Sequence, residues 1–253
     1  MNTVDQALLA YSRQEISNTA VLRAMAEYPS WHVSMLFAAD KLGKTVAEQG
    51  AIISAEFGGD PRTFYMFSGR ETLMNALSMP LGAFSGYCSG ADVFEKVTAA
   101  EFDRVQVNPG SPRELTFYFG SDSFGLVALI TQVVRLEQIL ATASATYVPF
   151  RQIRDHPGYM IAVTPPENVP ATTEVEGLEG RCAMVFTSPD RFELFSLRQL
   201  PEQRGKVATV TLPGESLFTQ LQRFDVSGVM INPDCPGSTV LPAFLFPRIV
   251  AGE

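Results

Sequence analysis

Cysteine and histidine are scarce in this chain, at three and two in 253 residues. Cys88, Cys182 and Cys235 are an odd number, and no two stand in a C-x-x-C spacing. That excludes a disulfide framework and a cysteine-rich zinc site. His32 and His156 do not stand at metal-ligand spacing either, so no metal or other cofactor is expected. Positive charge is also short. Nineteen Lys and Arg face 27 Asp and Glu, for a net charge of −8. Such a surface repels nucleic-acid phosphate and anionic lipid, and attracts basic partners. No apolar run reaches membrane-spanning length. The opening residues MNTVDQALLAYSRQE carry Asp5 and no basic stretch leading into an apolar one, so no signal peptide is expected. These absences together predict a cytoplasmic protein, with no nucleic acid and no membrane among its partners.

Catalytic signatures are missing as well. No G-x-S-x-G elbow is present to anchor a nucleophilic serine. The stretch Ala38 to Thr45, AADKLGKT, matches a relaxed P-loop pattern after the apolar run His32 to Phe37. A phosphate cradle needs glycine-rich backbone so that its amides can wrap the anion. Here Asp40 stands where a phosphate would lie, so the stretch reads better as a solvated hairpin loop. A nucleotide-binding enzyme is the weakest alternative this leaves.

What the chain has is a repeated order of elements. Thr63 onward reads TFYMFSGRETLMNAL, GAFSGYCSGADVFEKV and FDRVQVNPGSP. Arg181 onward reads RCAMVFTSPDRFELF, KVATVTLPGESLFTQL and FDVSGVMINPDCP. Phe67-Ser68 answers Phe186-Thr187, and Asn108-Pro109-x-x-Pro112 answers Asn232-Pro233-x-x-Pro236. Upstream, residues 19–28 form an amphipathic helix followed by the β-rich Trp31-His32-Val33. Residues 124–141 form a longer helix with Leu126, Leu129, Ile130, Val133, Leu136 and Leu140 on one stripe, followed by Tyr147-Val148-Pro149-Phe150 as its β counterpart. Apolar runs at Leu115 to Phe119 and Val240 to Phe246 are expected to supply terminal strands. The pattern predicts an α+β fold made of two tandem, packed copies of a mixed-sheet module with flanking helices, at 1–120 and 121–253.

Local chemistry marks the helix starts. Ser188-Pro189-Asp190 offers a hydroxyl cap, a first-turn proline and an acid at the positive end. Ser68 with Glu71 reads as a capping box. In each N-P-x-x-P the proline ends a strand, and the asparagine is expected to take an extended conformation and bond the backbone two residues on. Loops at strand ends often carry contacts, so Asn108, Asn232 and Asp234 are candidate partner-binding residues. Glu174, Glu176 and Glu179 are the main candidates, as an exposed acidic connection leading into a strand and able to steer a cationic protein.

The segments Tyr147-Val148-Pro149, Val185-Phe186-Thr187-Ser188 and Gly228 to Pro233 resemble the N-terminal domain of the SseB family, the enhanced-serine-sensitivity proteins of bacteria. The first copy departs, with Trp31-His32-Val33-Ser34 and Phe67-Ser68-Gly69 at those places, and a tandem pair is itself a departure. The resemblance implies a cytosolic protein without catalytic residues. It points to an immunity protein or adaptor, monomeric or homodimeric when free, that occludes a basic secreted toxin or effector. The alternative is a secretion-linked or metabolic accessory protein without a toxin partner.

Overall fold

The computed structural model describes residues 3–33, 63–76, 86–99, 102–119, 121–142, 148–198, 207–235 and 237–253. The P-loop-like stretch Ala38 to Thr45 lies outside them, as do Ser34, Tyr147 and Pro236. The protein is α+β and divides into two compact units, Met1–Val134 and Arg135–Glu253. The sequence places the join at 120/121. The units part further along, inside the long helix that the sequence assigns to the start of the second copy.

The first unit opens with helices α1 (Thr3–Ser12) and α2 (Asn18–Glu27). Ser17 caps α2 by accepting the Ala20 amide at 3.2 Å. There follow β1 (Trp31–Val33), β2 (Thr63–Met66), α3 (Arg70–Ala76), β3 (Gly86–Cys88), α4 (Gly90–Ala99), β4 (Arg104–Val107) and β5 (Leu115–Tyr118). β1 pairs antiparallel with β3, β2 runs parallel to β4, and β4 pairs antiparallel with β5. An antiparallel bridge between His32 and Phe67 joins the two groups, so the order is β3-β1-β2-β4-β5. Val21, Leu22 and Met25 of α2 meet Trp31, Phe64 and Phe94 in one core.

The second unit contains the C-terminal part of α5 (Ser121–Ala141), then α6 (Phe150–Arg154), β6 (Tyr159–Thr164), β7 (Val169–Pro170), β8 (Thr172–Val175) and β9 (Leu178–Phe186). After these come α7 (Pro189–Arg198), β10 (Ala208–Leu212), α8 (Gly214–Leu221), β11 (Gly228–Ile231), β12 (Thr239–Pro242), a 3₁₀ turn (Ala243–Leu245) and α9 (Phe246–Ala251). Its sheet runs β10-β6-β9-β11-β12, and only the β9–β11 pair is parallel. Strand for strand, this is the order and direction found in the first unit. The second sheet has one addition. β6 and β9 pair directly only at Met160–Phe186 and Ile161–Val185. Beyond that point residues 169–175 wedge between them, with Ala171 donating to Ala162 and accepting from Met184.

Several expectations change. The buried stripe of α5 includes Val127, Val134 and Glu137, whereas Leu129 is 43% exposed. Val148-Pro149 is no strand. It leads directly into α6, and the counterpart of β1 is β6. Of the last apolar run, Val240 to Phe246, only the part within β12 (Thr239–Pro242) stays in the sheet; Ala243 onward turns helical, with Pro247 in the first turn of α9. α7 does begin at Pro189 with Asp190 in its first turn. Among the described residues no helix is long and apolar enough to cross a membrane.

Candidate functional site

The two N-P turns do not form the expected extended turn. Asn108 and Asn232 both take left-handed backbone angles, φ +51° and +53°. Asparagine is among the few L-residues that tolerate this region. Each asparagine ends the strand that runs parallel to the F-S or F-T strand, and its side chain crosses to that neighbour. Asn108 Oδ1 accepts the Ser68 amide at 2.8 Å and Nδ2 donates to Ser68 Oγ at 3.0 Å. Asn232 Oδ1 accepts the Thr187 amide at 3.0 Å and Nδ2 donates to Thr187 Oγ1 at 3.0 Å. The local turn is closed instead by backbone, Ser111 to Asn108 and Cys235 to Asn232.

A carboxylate from the leading helix completes each cluster. Ser68 Oγ donates to Asp5 of α1 at 2.5 Å, and Arg113 donates to the other oxygen of Asp5 at 2.9 Å. Thr187 Oγ1 donates to Glu137 of α5, and Asn232 Nδ2 reaches the same carboxylate at 3.1 Å. Arg191 Nη2 holds the second oxygen of Glu137 at 2.5 Å. Ser68's hydroxyl thus serves this cluster, beyond the capping role its spacing with Glu71 suggests. A further pair matches across the units. Tyr28 Oη donates to the Ser68 carbonyl at 2.8 Å, and His156 Nε2 lies 3.1 Å from the Thr187 carbonyl. A carbonyl only accepts, so Nε2 carries the proton. Burial pushes the His156 imidazole below its ordinary range.

A hydroxyl beside a carboxylate and an asparagine resembles an activated nucleophile. Burial argues for a different role here. Ser68, Thr187, Asn108 and Asn232 are each no more than 1% exposed, so a substrate does not reach them. The clusters are latches that satisfy backbone amides at the strand ends and tie the first helix of each unit to its sheet. Asn108 and Asn232 are therefore buried in architecture and offer a partner nothing to touch. Cys235 is also buried beside this turn, where burial pushes its thiol up and away from reactivity.

Tyr159 occupies the place in β6 that Trp31 holds in β1. Trp31 Nε1 donates to the Met25 carbonyl at 2.9 Å, but the fully buried Tyr159 hydroxyl has no hydrogen-bond partner among the described residues. Tyr159→Phe removes that orphan while keeping the ring against His156 and Phe218. The expected outcome is unchanged or higher stability, by up to about 1 kcal/mol, read from the urea unfolding midpoint.

The acidic candidates lie elsewhere. Glu174 sits on β8 opposite Arg181, Glu176 and Gly177 make the turn, and Glu179 follows on β9. The expected connection is thus a β-hairpin, with Gly177 at φ +82° in the turn. All three glutamates are exposed, and among the described residues none forms an ion pair. Asp234 is exposed too, with φ +57°, but it is not part of this surface. It follows Asn232, which is bonded beyond the far end of the nine-residue β9. That places it about 27 Å from the hairpin at strand rise.

A groove of about 710 Å³ opens beside the hairpin in the second unit. Ala171 and Met184 line it, with Val169 from β7 on the β6 side, Phe224 and Val226 from the segment that leads into β11, and Glu167, Asp225 and Arg181 among its charged groups.

No family model matches the chain, and no curated protein or solved structure matches it.

The site therefore stands on its own geometry. The sequence picks out the hairpin glutamates but misses Glu167 and the adjacent pair Phe224-Asp225, which are far apart along the chain and meet only through the sheet. It also misses the latch carboxylates. The only signal for Glu137 is an acid standing within the apolar stripe of α5. Among the described residues no three His, Cys, Asp or Glu side chains gather where they could hold a metal ion.

Proposed function

We propose that the protein is a non-catalytic interaction module that binds a basic protein, as an immunity protein or adaptor occluding a secreted bacterial toxin or effector. The observation that carries this reading is the β8–β9 hairpin, which holds Glu174, Glu176 and Glu179 exposed and, among the described residues, without ion pairs. Three carboxylates on one hairpin give a local negative field in a chain already at −8. Such a field raises the rate of encounter with a cationic surface and fixes its orientation. The SseB-like motifs support the same reading, because they imply a bacterial protein of this class.

The test is capture of partners by the tagged full chain from its native lysate, with mass spectrometry of the eluate. The expected result is one stoichiometric basic protein that salt releases. Glu174→Lys, Glu176→Lys and Glu179→Lys together should abolish its capture, since like charges then face each other. Elution of the chain without a partner, or an acidic partner held equally by the triple variant, would sink the reading.

A further inference from the structure

We infer that the groove beside this hairpin receives one segment of the partner, an extended cationic stretch carrying a large apolar side chain between its basic residues. This rests on the partner-binding reading above and names the site and the chemistry of the bound segment. The groove's volume, about 710 Å³, is in the range that encloses a sizeable ligand group. Its two sides leave apolar surface in water. Val169 is 49% exposed on one and Phe224 is 41% exposed on the other, above a floor where Met184 is nearly buried. An aromatic or long aliphatic side chain entering between them removes all three from solvent, as a central anchor does at a protein interface.

Charge selects what flanks the anchor. Glu167 and Asp225 line the groove, are exposed, and have no ion pair among the described residues. Arg181 is the one Lys or Arg among the lining residues, against these two carboxylates. Between residues 164 and 181 the chain carries Glu167, Glu174, Glu176 and Glu179 against Arg181 alone. The occupant that matches is cationic on either side of its anchor. A second copy of this chain, at −8, is disfavoured by self-repulsion, and an anionic peptide or nucleic acid is disfavoured by the same field.

The experiment is calorimetric titration of the full chain with two capped peptides. Both are lysine-rich heptapeptides, one with tryptophan at its centre and the other with alanine there. The tryptophan peptide should bind in a salt-sensitive manner, about tenfold tighter than the alanine peptide. Phe224→Ala and Val169→Ser, each at an exposed position on opposite walls, should both remove that tenfold advantage and leave the alanine peptide unaffected. Two independent wall variants keep the result from hanging on the folding of one. Equal binding of the two peptides, unchanged in both variants, would overturn the groove assignment and leave the acidic-hairpin reading standing. No binding of either peptide at low salt would overturn both.

Discussion

Glu137→Ala should destabilise the second unit by about 3–5 kcal/mol, the range for removing one partner of a buried charge pair. Its carboxylate takes hydrogen bonds from Thr187, Asn232 and Arg191 at once, and its side chain is 8% exposed. Truncation deprives a hydroxyl, an amide and a guanidinium of the same acceptor in one step, in a place where water does not replace it. The loss should appear in urea unfolding followed by circular dichroism, and in faster amide exchange along β9 and β11. Asp5→Ala is the informative comparison. Asp5 holds the same place in the first latch, but its arginine partner, Arg113, has a side chain 36% exposed. Released from Asp5, that guanidinium turns to solvent, so the cost should be smaller, about 1–3 kcal/mol. Trp31 is the single tryptophan and is fully buried in the first unit, so its emission follows this variant directly. Equal losses for the two variants would contradict the burial argument.

Gly90→Ala should cost about 3 kcal/mol or more, at or above the top of the usual overpacking range. A β-carbon built on Gly90 lies 1.8 Å from the Met25 carbonyl oxygen and 2.9 Å from the Ala26 Cα. Those obstacles are backbone, so no side-chain rotation relieves them. Either α4 or the end of α2 must move, and α4 carries the buried Val93, Phe94 and Val97 into the core. The Met25 carbonyl also accepts Trp31 Nε1, so the emission of Trp31 should shift to longer wavelength as the contact opens. Gly214→Ala should behave alike in the second unit, where the same construction meets the Ile153 and Arg154 carbonyls at 2.3 and 2.5 Å. Gly69→Ala, with nothing within 4 Å, is the control expected to change little.

These paired glycines show what a one-dimensional reading reaches. The N-P turns, the F-S and F-T strand ends and the Gly-led helices α4 and α8 all occur in matching order in the sequence, because each is a local punctuation mark. The α+β class and most element positions follow from them. Two things stay hidden for physical reasons. The latches join residues 40 to 108 positions apart, and a periodicity analysis sees Asp5 or Glu137 only as a polar interruption. The wedge at 169–175 is the other. It contains Pro170 and the polar Thr172, Thr173 and Glu174, so it reads as a connection, and only the divergence of β6 from β9 gives it a place in the sheet. That wedge is what places the acidic hairpin and the groove side by side. The distinction between buried asparagines and exposed glutamates likewise depends on the assembled sheet, since both stand at turns.

On the proposal above, the hairpin and its groove form the working surface, while the latches are architecture. The decisive measurement is hydrogen–deuterium exchange of the full chain, with and without the basic protein it is expected to capture. The expected result is new protection confined to residues 164–184 and 224–226, with β4, β11 and the Asn108 and Asn232 turns unchanged. Protection centred on those turns, with the hairpin left as fast as in the free chain, would contradict it.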